Sequence, residues 1–591
     1  MEFLVPEYVR YHYTPIPDEN TIRLLSLEPA VNGPLACRMS FVRLGDKPTY
    51  QALSYVWGDP TKRRWIQCDG RWLLIPTSLA VALRRLRNKE TARVLWADAI
   101  CINQQDIPER NKQVALMAKI YRIAEKVIAW LGDDYGNAKT LFDFVCKLQQ
   151  LWPHDIHKLV PQLESDHPIF QHRAGWKALG KLFEHVYFKR GWIQQEIGLA
   201  KEAIICWGNS EVPWNLICRM NYNFLTAHFD IIDERFDVNS TAAKNTDLLY
   251  STQERYQRVT NSECKTSGET PMKKNFWSIL RISRNLRFSD HHDVVYAFLG
   301  HPAAEALSGP DKAPLVPIDY SKDVYQLYTE LAVKGLMEFQ NPLVLSLVNH
   351  SGESPNPKLP SWAHDLSPGN NDYVGYNVER FSAGTDTPMT LSINECNTRL
   401  TVRGFSFDTV AECQPKFRRL NNNLGVSFLN KHIYEKSVFE TIKFISAAPK
   451  NAVYKDMSPE CIASIILVCG NLDTPQKYLA WYHAFRAQLG LKSDTTKVDS
   501  NAEGKFSSHL WIGNGRRVFR TQTGYFGLGP LVMQPGDLVC VLFGFYTPFV
   551  LRKVDGHYLF MGDCYVPGLM KGEGLRKWKE GGVEEVDIEI Y

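Results

Sequence analysis

Residues Leu95 to Gly132 read LWADAICINQQDIPERNKQVALMAKIYRIAEKVIAWLG: a strand, a capped helix and a second strand in one run. The stretch Arg93 to Ile102 (RVLWADAICI) is nearly continuously apolar with one acid inside it, Asp98, the pattern of a strand buried on both faces of a parallel sheet. Asp106-Ile107-Pro108-Glu109 then supplies an N-cap aspartate, a proline in the first turn and a glutamate three positions on, a capping-box variant. The helix it opens carries Val114, Met117, Tyr121 and Ala124 on one stripe. Val127 to Leu131 (VIAWL) is the next strand, and Gly132 ends it.

The same alternation extends to either side. Tyr50 to Val56 (YQALSYV) is a strand candidate, and Trp65 to Cys68 and Arg71 to Ile75 flank Asp69-Gly70, a strong hairpin signal. Pro76 and Thr77 open a helix with Leu79, Leu83 and Leu86 on one face. After Gly132 a helical stretch runs to about Tyr187, and Phe188 to Ala200 (FKRGWIQQEIGLA) and Ala203 to Trp207 (AIICW) resume the helix and strand pattern. Strands alternating with helices at this spacing predict an α/β N-terminal domain.

Further on the texture changes. Asp237 to Lys274 is polar and reads as a linker, and Phe276 to Leu299 reads as helical. From about Met389 strands dominate, with a second polar break at Lys492 to Ser508. Pro535-Gly536-Asp537 turns into Leu538 to Phe543, followed by Phe549 to Val554, Asp555-Gly556 and His557 to Met561, which suits a meander or small barrel. The expected organisation is a domain over 1–215 with its core at about 48–207, a mainly helical middle over 216–385 with the linker at 237–274, and a strand-rich domain over 386–591, α+β overall.

At 591 residues the length fits about three or four domains. The composition, 44% hydrophobic and 22% charged, excludes global disorder and coiled-coil rods. A net charge of +4 gives no electrostatic case for nucleic acid or a membrane surface. The 13 cysteines are an odd number and form no C-x-x-C pair, so free thiols in a reducing, cytoplasmic setting are expected. The N-terminus lacks a signal-peptide pattern, and no segment reaches the roughly 18 apolar residues of a membrane span. On that basis the triplets at Asn239 and Asn349 are accidental glycosylation matches.

Absences exclude several chemistries. There is no G-x-x-x-x-G-K-[ST], no G-x-G-x-x-G after a strand, no H-E-x-x-H and no G-x-S-x-G. No metal ligand set is expected: His291 and His292 beside Asp293 face different ways on a helix, and a solvated face is the better reading. What remains is a group of polar residues set where a core favours apolar ones, namely Ser54, Tyr55, Asp98, Asn103, and Glu196 after Trp192. Ligands of open α/β sheets sit at the carboxyl ends of the strands, where Ser54 and Asp98 are expected. The plainer alternative is that Asp98 caps its loop and Ser54 satisfies a backbone group. Glu196 follows Trp192 by four positions, so on a helix its carboxylate shares the face of the indole, an environment that can hold an oxocarbenium-like sugar.

In order and in length, YQALSYVWGDP at Tyr50 to Pro60, the quoted Leu95 to Gly132 block, and FKRGWIQQEIGLA resemble the fungal heterokaryon incompatibility (HET) domain. FSDHHDVVYAFLG, LPSWAHDLS at Leu359 to Ser367, GYFGLGP, GDLVCVLFG and GDCYVPGLMKGE resemble the segments that accompany it. The resemblance implies a role in non-self recognition, with the HET domain as the death-inducing part, acting through homo- or hetero-oligomers and an incompatibility partner protein. The HET domain is also distantly similar to the TIR domain, which implies a flavodoxin-like fold. Trp192-Ile193-Gln194-Gln195-Glu196 has the spacing of the TIR W-C-x-x-E element.

Carried over, Glu196 would be catalytic in cleaving NAD as a substrate, with no bound cofactor, and Ser54, Tyr55, Trp57, Asp98, Asn103 and Trp192 would line the substrate site. The alternatives are a non-catalytic assembly module acting through the Asn103 to Pro108 loop, and a diverged HET protein with another regulatory role. About fifty residues separate Gly132 from Phe188, where a TIR domain has a short connection, and an insert that displaced the helix would take Glu196 out of the crevice. For the C-terminal strands the expectation is a folded support or regulatory domain.

Overall fold

The computed structural model describes residues 5–151, 171–218, 276–283, 286–308, 314–350, 352, 354–367, 377–415, 428–449, 451–470, 476, 477, 479, 480, 482, 483 and 515–591. The chain forms two compact units, Met1–Lys274 with Asn285–Ser321, and Asn275–Arg284 with Lys322–Tyr591. The polar stretches expected at Asp237 to Lys274, with Asn239, and at Lys492 to Ser508 lie outside the described residues.

The first unit holds a nine-stranded mixed sheet: β1 (Thr21–Leu27), β2 (Ala36–Arg43), β3 (Gln51–Tyr55), β4 (Arg63–Cys68), β5 (Arg71–Pro76), β6 (Arg93–Trp96), β7 (Lys126–Gly132), β8 (Ala203–Trp207) and β9 (Ser210–Pro213). Their order is β5-β4-β2-β1-β6-β3-β7-β8-β9. The four central strands β6-β3-β7-β8 are parallel, and β1 and β9 extend them in the antiparallel sense. β3, the first of these parallel strands, therefore has the second and third on either side, β6 on one and β7 on the other, the arrangement that opens a crevice at its carboxyl end. The apolar run of β7 is buried at all five central positions, as a strand covered on both faces requires. The β4–β5 turn forms as expected: Asp69 and Gly70 have φ of 50° and 74°, the pair of left-handed residues that matches hairpin twist.

Helices α1 (Thr77–Leu86), α2 (Asp98–Cys101), α3 (Ile107–Ile123), α4 (Asn137–Leu151), α5 (Arg173–Glu184) and α6 (Ile193–Glu196) belong to this unit, as do the single turns at Asp293–Tyr296 and Pro302–Glu305. Leu79, Leu83 and Leu86 of α1 are buried, as are Val114, Met117 and Tyr121 of α3, while Ala124 is its C-cap. The inserted α4 and α5 pack closely. Phe144 lies edge-on to Trp176, and a Cβ added at Gly175 would stand 2.4 Å from the Phe144 ring.

Three expectations need correction. The strand read over Arg93 to Ile102 stops at Trp96, because the Ala97 carbonyl takes the amides of Ile100 and Cys101 at 3.0 and 2.7 Å and turns the chain into α2. Asp98 therefore lies just past its strand, on the first turn of α2. The helix expected over Phe188 to Ala200 is shorter, a 3-10 turn at Val186–Lys189 followed by the single turn of α6. Phe276 to Leu299 is also not one helix: Phe276–Ile282 and Asp293–Tyr296 are separate, and between them Arg287 forms a parallel bridge with Arg190.

The second unit has helices at Val324–Met337, Leu343–Ser346, Phe428–Ser446 and Pro459–Leu467 and an eight-stranded sheet of β10 (Leu391–Ile393), β11 (Leu400–Cys413), β12 (Arg516–Thr521), β13 (Phe526–Pro530), β14 (Leu538–Leu542), β15 (Phe549–Val554), β16 (His557–Asp563) and β17 (Val586–Ile590). The long β11 pairs with β14 over Gly404 to Thr409, with β12 beyond Val410 and with β17 over Leu400 to Gly404. β10 pairs with it as well, and register shifts at 406/408 and 410/412 let one strand bend among four partners. Since β14, β15, β16 and β17 also pair in turn, the ring closes around Phe405, Val541, Val550 and Met561. The expected meander is part of this closed sheet.

Candidate functional site

Ser54 and Tyr55 end the central strand β3, and both are buried. The Ser54 hydroxyl donates to Glu196 Oε2 in a short hydrogen bond and shares a 2.5 Å hydrogen bond with the Tyr187 hydroxyl. Ser54 thus serves a side-chain carboxylate rather than a backbone group, and the insert leaves Glu196 in the crevice. Glu196 is held from a second direction as well: Arg190 Nη1 donates to Oε2 at 3.0 Å and Nη2 to Oε1 at 3.1 Å, a bidentate pair. The Glu196 side chain is 2% exposed and that of Arg190 17%, so the carboxylate is enclosed and its partner is largely buried beside it.

Asp98 lies near enough to feel the charges of both Glu196 and Arg190. Its Oδ1 accepts from the Ala99 amide at 2.7 Å, the loop-capping role expected of it, and its Oδ2 accepts from Trp57 Nε1 at 2.8 Å. Burial raises its carboxyl from 3.8 to about 6, the nearby Glu196 charge adds to the rise, and Arg190 opposes it. Tyr55 lies beside Asp98, and burial with that carboxylate pushes its phenol well up. Tyr187 is pushed up by burial and by Glu196. Arg190 is pushed up because the charges of Glu196 and Tyr187 outweigh its burial. Trp57 stands at the mouth, 41% exposed.

The structure therefore brings Ser54, Tyr55, Trp57, Asp98 and Glu196 together. Asn103 and Trp192 have other partners. Asn103 sits in the loop after α2, where its Oδ1 accepts from the Gln105 amide at 3.3 Å and its own amide donates to Glu109 at 2.7 Å. Trp192 Nε1 donates to Asp293 Oδ2 at 2.9 Å, so the indole is bonded to a carboxylate other than that of Glu196. Asp293, expected to be solvated, is buried. Its other oxygen accepts from the Tyr320 hydroxyl at 2.6 Å, and burial raises its carboxyl to about 6. Sequence reasoning passed over Arg190 and Tyr187. Arg190 carries a spacing signal, since it precedes Glu196 by six residues within the block quoted for that glutamate. Among the described residues no group of three His, Cys, Asp or Glu gathers as a metal site, and no helix is long and apolar enough to cross a membrane.

The raised Asp98 carboxyl has a stability consequence with a definite sign. A pKa higher in the folded than in the unfolded chain gives a contribution that is complete below about 3.8 and is lost as pH rises through about 6. Asp98→Asn removes the cost of ionising this group. The variant is therefore expected to be more stable to thermal unfolding than wild type by about 3 kcal/mol above pH 6, with the advantage vanishing near pH 4. A stability difference that is flat with pH contradicts the assignment.

A family model described as heterokaryon incompatibility protein (HET) matches residues 50–196, a span that begins just before β3 and ends on Glu196. A second, described as Het-6 beta-barrel domain, matches residues 463–580, which include β12 to β16. The chain is also similar to heterokaryon incompatibility protein 6, OR allele, of Neurospora crassa, 25% identical over 665 aligned positions that cover 95% of this chain and 96% of the relative. No solved structure matches.

Proposed function

We propose, from the premise that this chain belongs to the fungal heterokaryon incompatibility (HET) proteins, that its first unit is a TIR-like module that triggers non-self-recognition cell death by cleaving NAD. The observation that carries the proposal is the convergence of Ser54, Asp98 and Glu196 at the carboxyl end of the central strand. The order of the four parallel strands, with the first flanked by the second and the third, supports the TIR-like part. In the cleavage, the bond between the ribose and the nicotinamide nitrogen breaks and its electron pair leaves with nicotinamide. The Glu196 carboxylate stabilises the positive charge left on the sugar, and water adds to that carbon and releases a proton. Ser54 orients Glu196, and Asp98 with Trp57 lines the entrance.

Both Glu196 oxygens are paired with Arg190 in this structure, and a guanidinium there opposes a second cation. Cleavage then requires Arg190 to turn away, a step that assembly with a partner or a second copy would supply. The same pairing favours a second function, a non-catalytic assembly module in which the Glu196 network only holds the fold. Incubation of the purified chain with NAD, alone and at assembling concentrations, separates the two. Equimolar nicotinamide and ADP-ribose are expected, and no product under any assembled condition supports the assembly module.

A further inference from the structure

The α6 turn that presents Glu196 is fastened by a segment remote in sequence. Arg287 N donates to Lys189 O at 2.5 Å and Gly191 N donates to Arg287 O at 3.1 Å, clamping the chain just before the turn. Here a Cβ added at Gly191 would lie 1.8 Å from the Phe288 ring, so only glycine admits that contact. On the turn itself Trp192 Nε1 donates to Asp293 and Gln195 Nε2 donates to Tyr296 O at 3.0 Å. Residues 286–320 lie beyond the span that the HET model matches, yet belong to the same compact unit.

We propose that Asp293 is a positioning residue for Glu196: by accepting from Trp192 on one oxygen and from Tyr320 on the other, it fixes the α6 turn and so the meeting of Glu196 with Ser54 and Arg190. Trp192 is in this account a strut rather than a wall of the substrate site. Asp293 is braced by the Tyr320 ring, over which the Arg110 guanidinium lies at 3.5 Å, and Arg110 is itself paired with Asp290 at 3.0 Å. A single buried carboxylate therefore links α3, the Glu196 turn and the 286–320 segment. Only the effect on catalysis rests on the NAD proposal, because the placement of Glu196 can be measured without it.

Hydrogen exchange of the full chain tests the placement. Trp192→Phe keeps the ring and removes the donor, Asp293→Ala removes the acceptor, and Asp293→Asn keeps an acceptor oxygen for Trp192. Exchange of the amides over 193–199 is expected to rise about tenfold in Trp192→Phe and Asp293→Ala and to stay near wild type in Asp293→Asn, with 79–86 of α1 unchanged throughout. Equal rises in both regions, no rise in either, or a failure of Asn to restore protection would each overturn the proposal. The catalytic consequence is read separately, as a fall in kcat for NAD cleavage by Trp192→Phe. If wild type cleaves no NAD, the functional proposal fails while the exchange result still decides this one.

Discussion

Glu196→Gln is expected to abolish NAD cleavage, by about 100-fold or more, since it removes the one charge placed to stabilise the sugar cation. The substitution is close to isosteric, and the amide still accepts from Ser54, but it leaves Arg190 without its counter-charge. Losing one partner of a fully buried pair costs about 3–5 kcal/mol. Here the Arg190 side chain is 17% exposed, so the pair is not fully enclosed, a smaller loss of stability is expected and the variant should fold. Glu196→Asp retains the charge but is one methylene too short to keep both Arg190 and Ser54, and its activity should lie between the two. Nicotinamide release and a melting curve on the same preparations check both statements. Unchanged nicotinamide release by a folded Glu196→Gln variant contradicts the catalytic role.

The largest expected effect on stability lies elsewhere in the first unit. Arg23 is inside the protein, with its side chain and that of Glu109 1% and 8% exposed. Its guanidinium donates to Glu109 Oε1 at 2.6 Å and Oε2 at 2.8 Å, to Thr14 O at 2.6 Å and to Cys101 O at 3.1 Å. Arg23→Met strands the Glu109 carboxylate and two carbonyls, so a loss of about 3–5 kcal/mol is expected, a melting transition lower by roughly 10 °C at this domain size. Pairing it with Glu109→Leu removes the stranded charge and should recover a large part of the loss. A double variant as unstable as the sum of the single ones contradicts the account of this pair.

The same pair shows where the sequence was silent. Asp106 caps α3 as expected, accepting from the Glu109 amide at 3.0 Å. The Glu109 side chain, however, does not reach back to the cap residue. It serves Arg23 and the Asn103 amide instead, and nothing local announces a partner 86 positions away. β1, which carries Arg23, and β2 were not anticipated at all. By contrast β3, β7, β8, the Asp69-Gly70 hairpin and the C-terminal strands were legible, because period, turn chemistry and length are written within a few residues. The candidate site was half legible for the same reason. Ser54, Asp98 and Glu196 stand out as polar residues in apolar runs, whereas Arg190 does not stand out in this way, and Asp293, in the polar run SDHHD, reads as solvated. Their burial depends on contacts between segments about a hundred residues apart.

Whether the Glu196 turn kills by consuming NAD is decided by the order in which NAD and viability fall. NAD content and viability are followed in the same culture after induction of the full chain, with folded Glu196→Gln in parallel. The account predicts that NAD falls before viability in the wild type and that neither falls in the variant. Loss of viability in the wild type at constant NAD would contradict it.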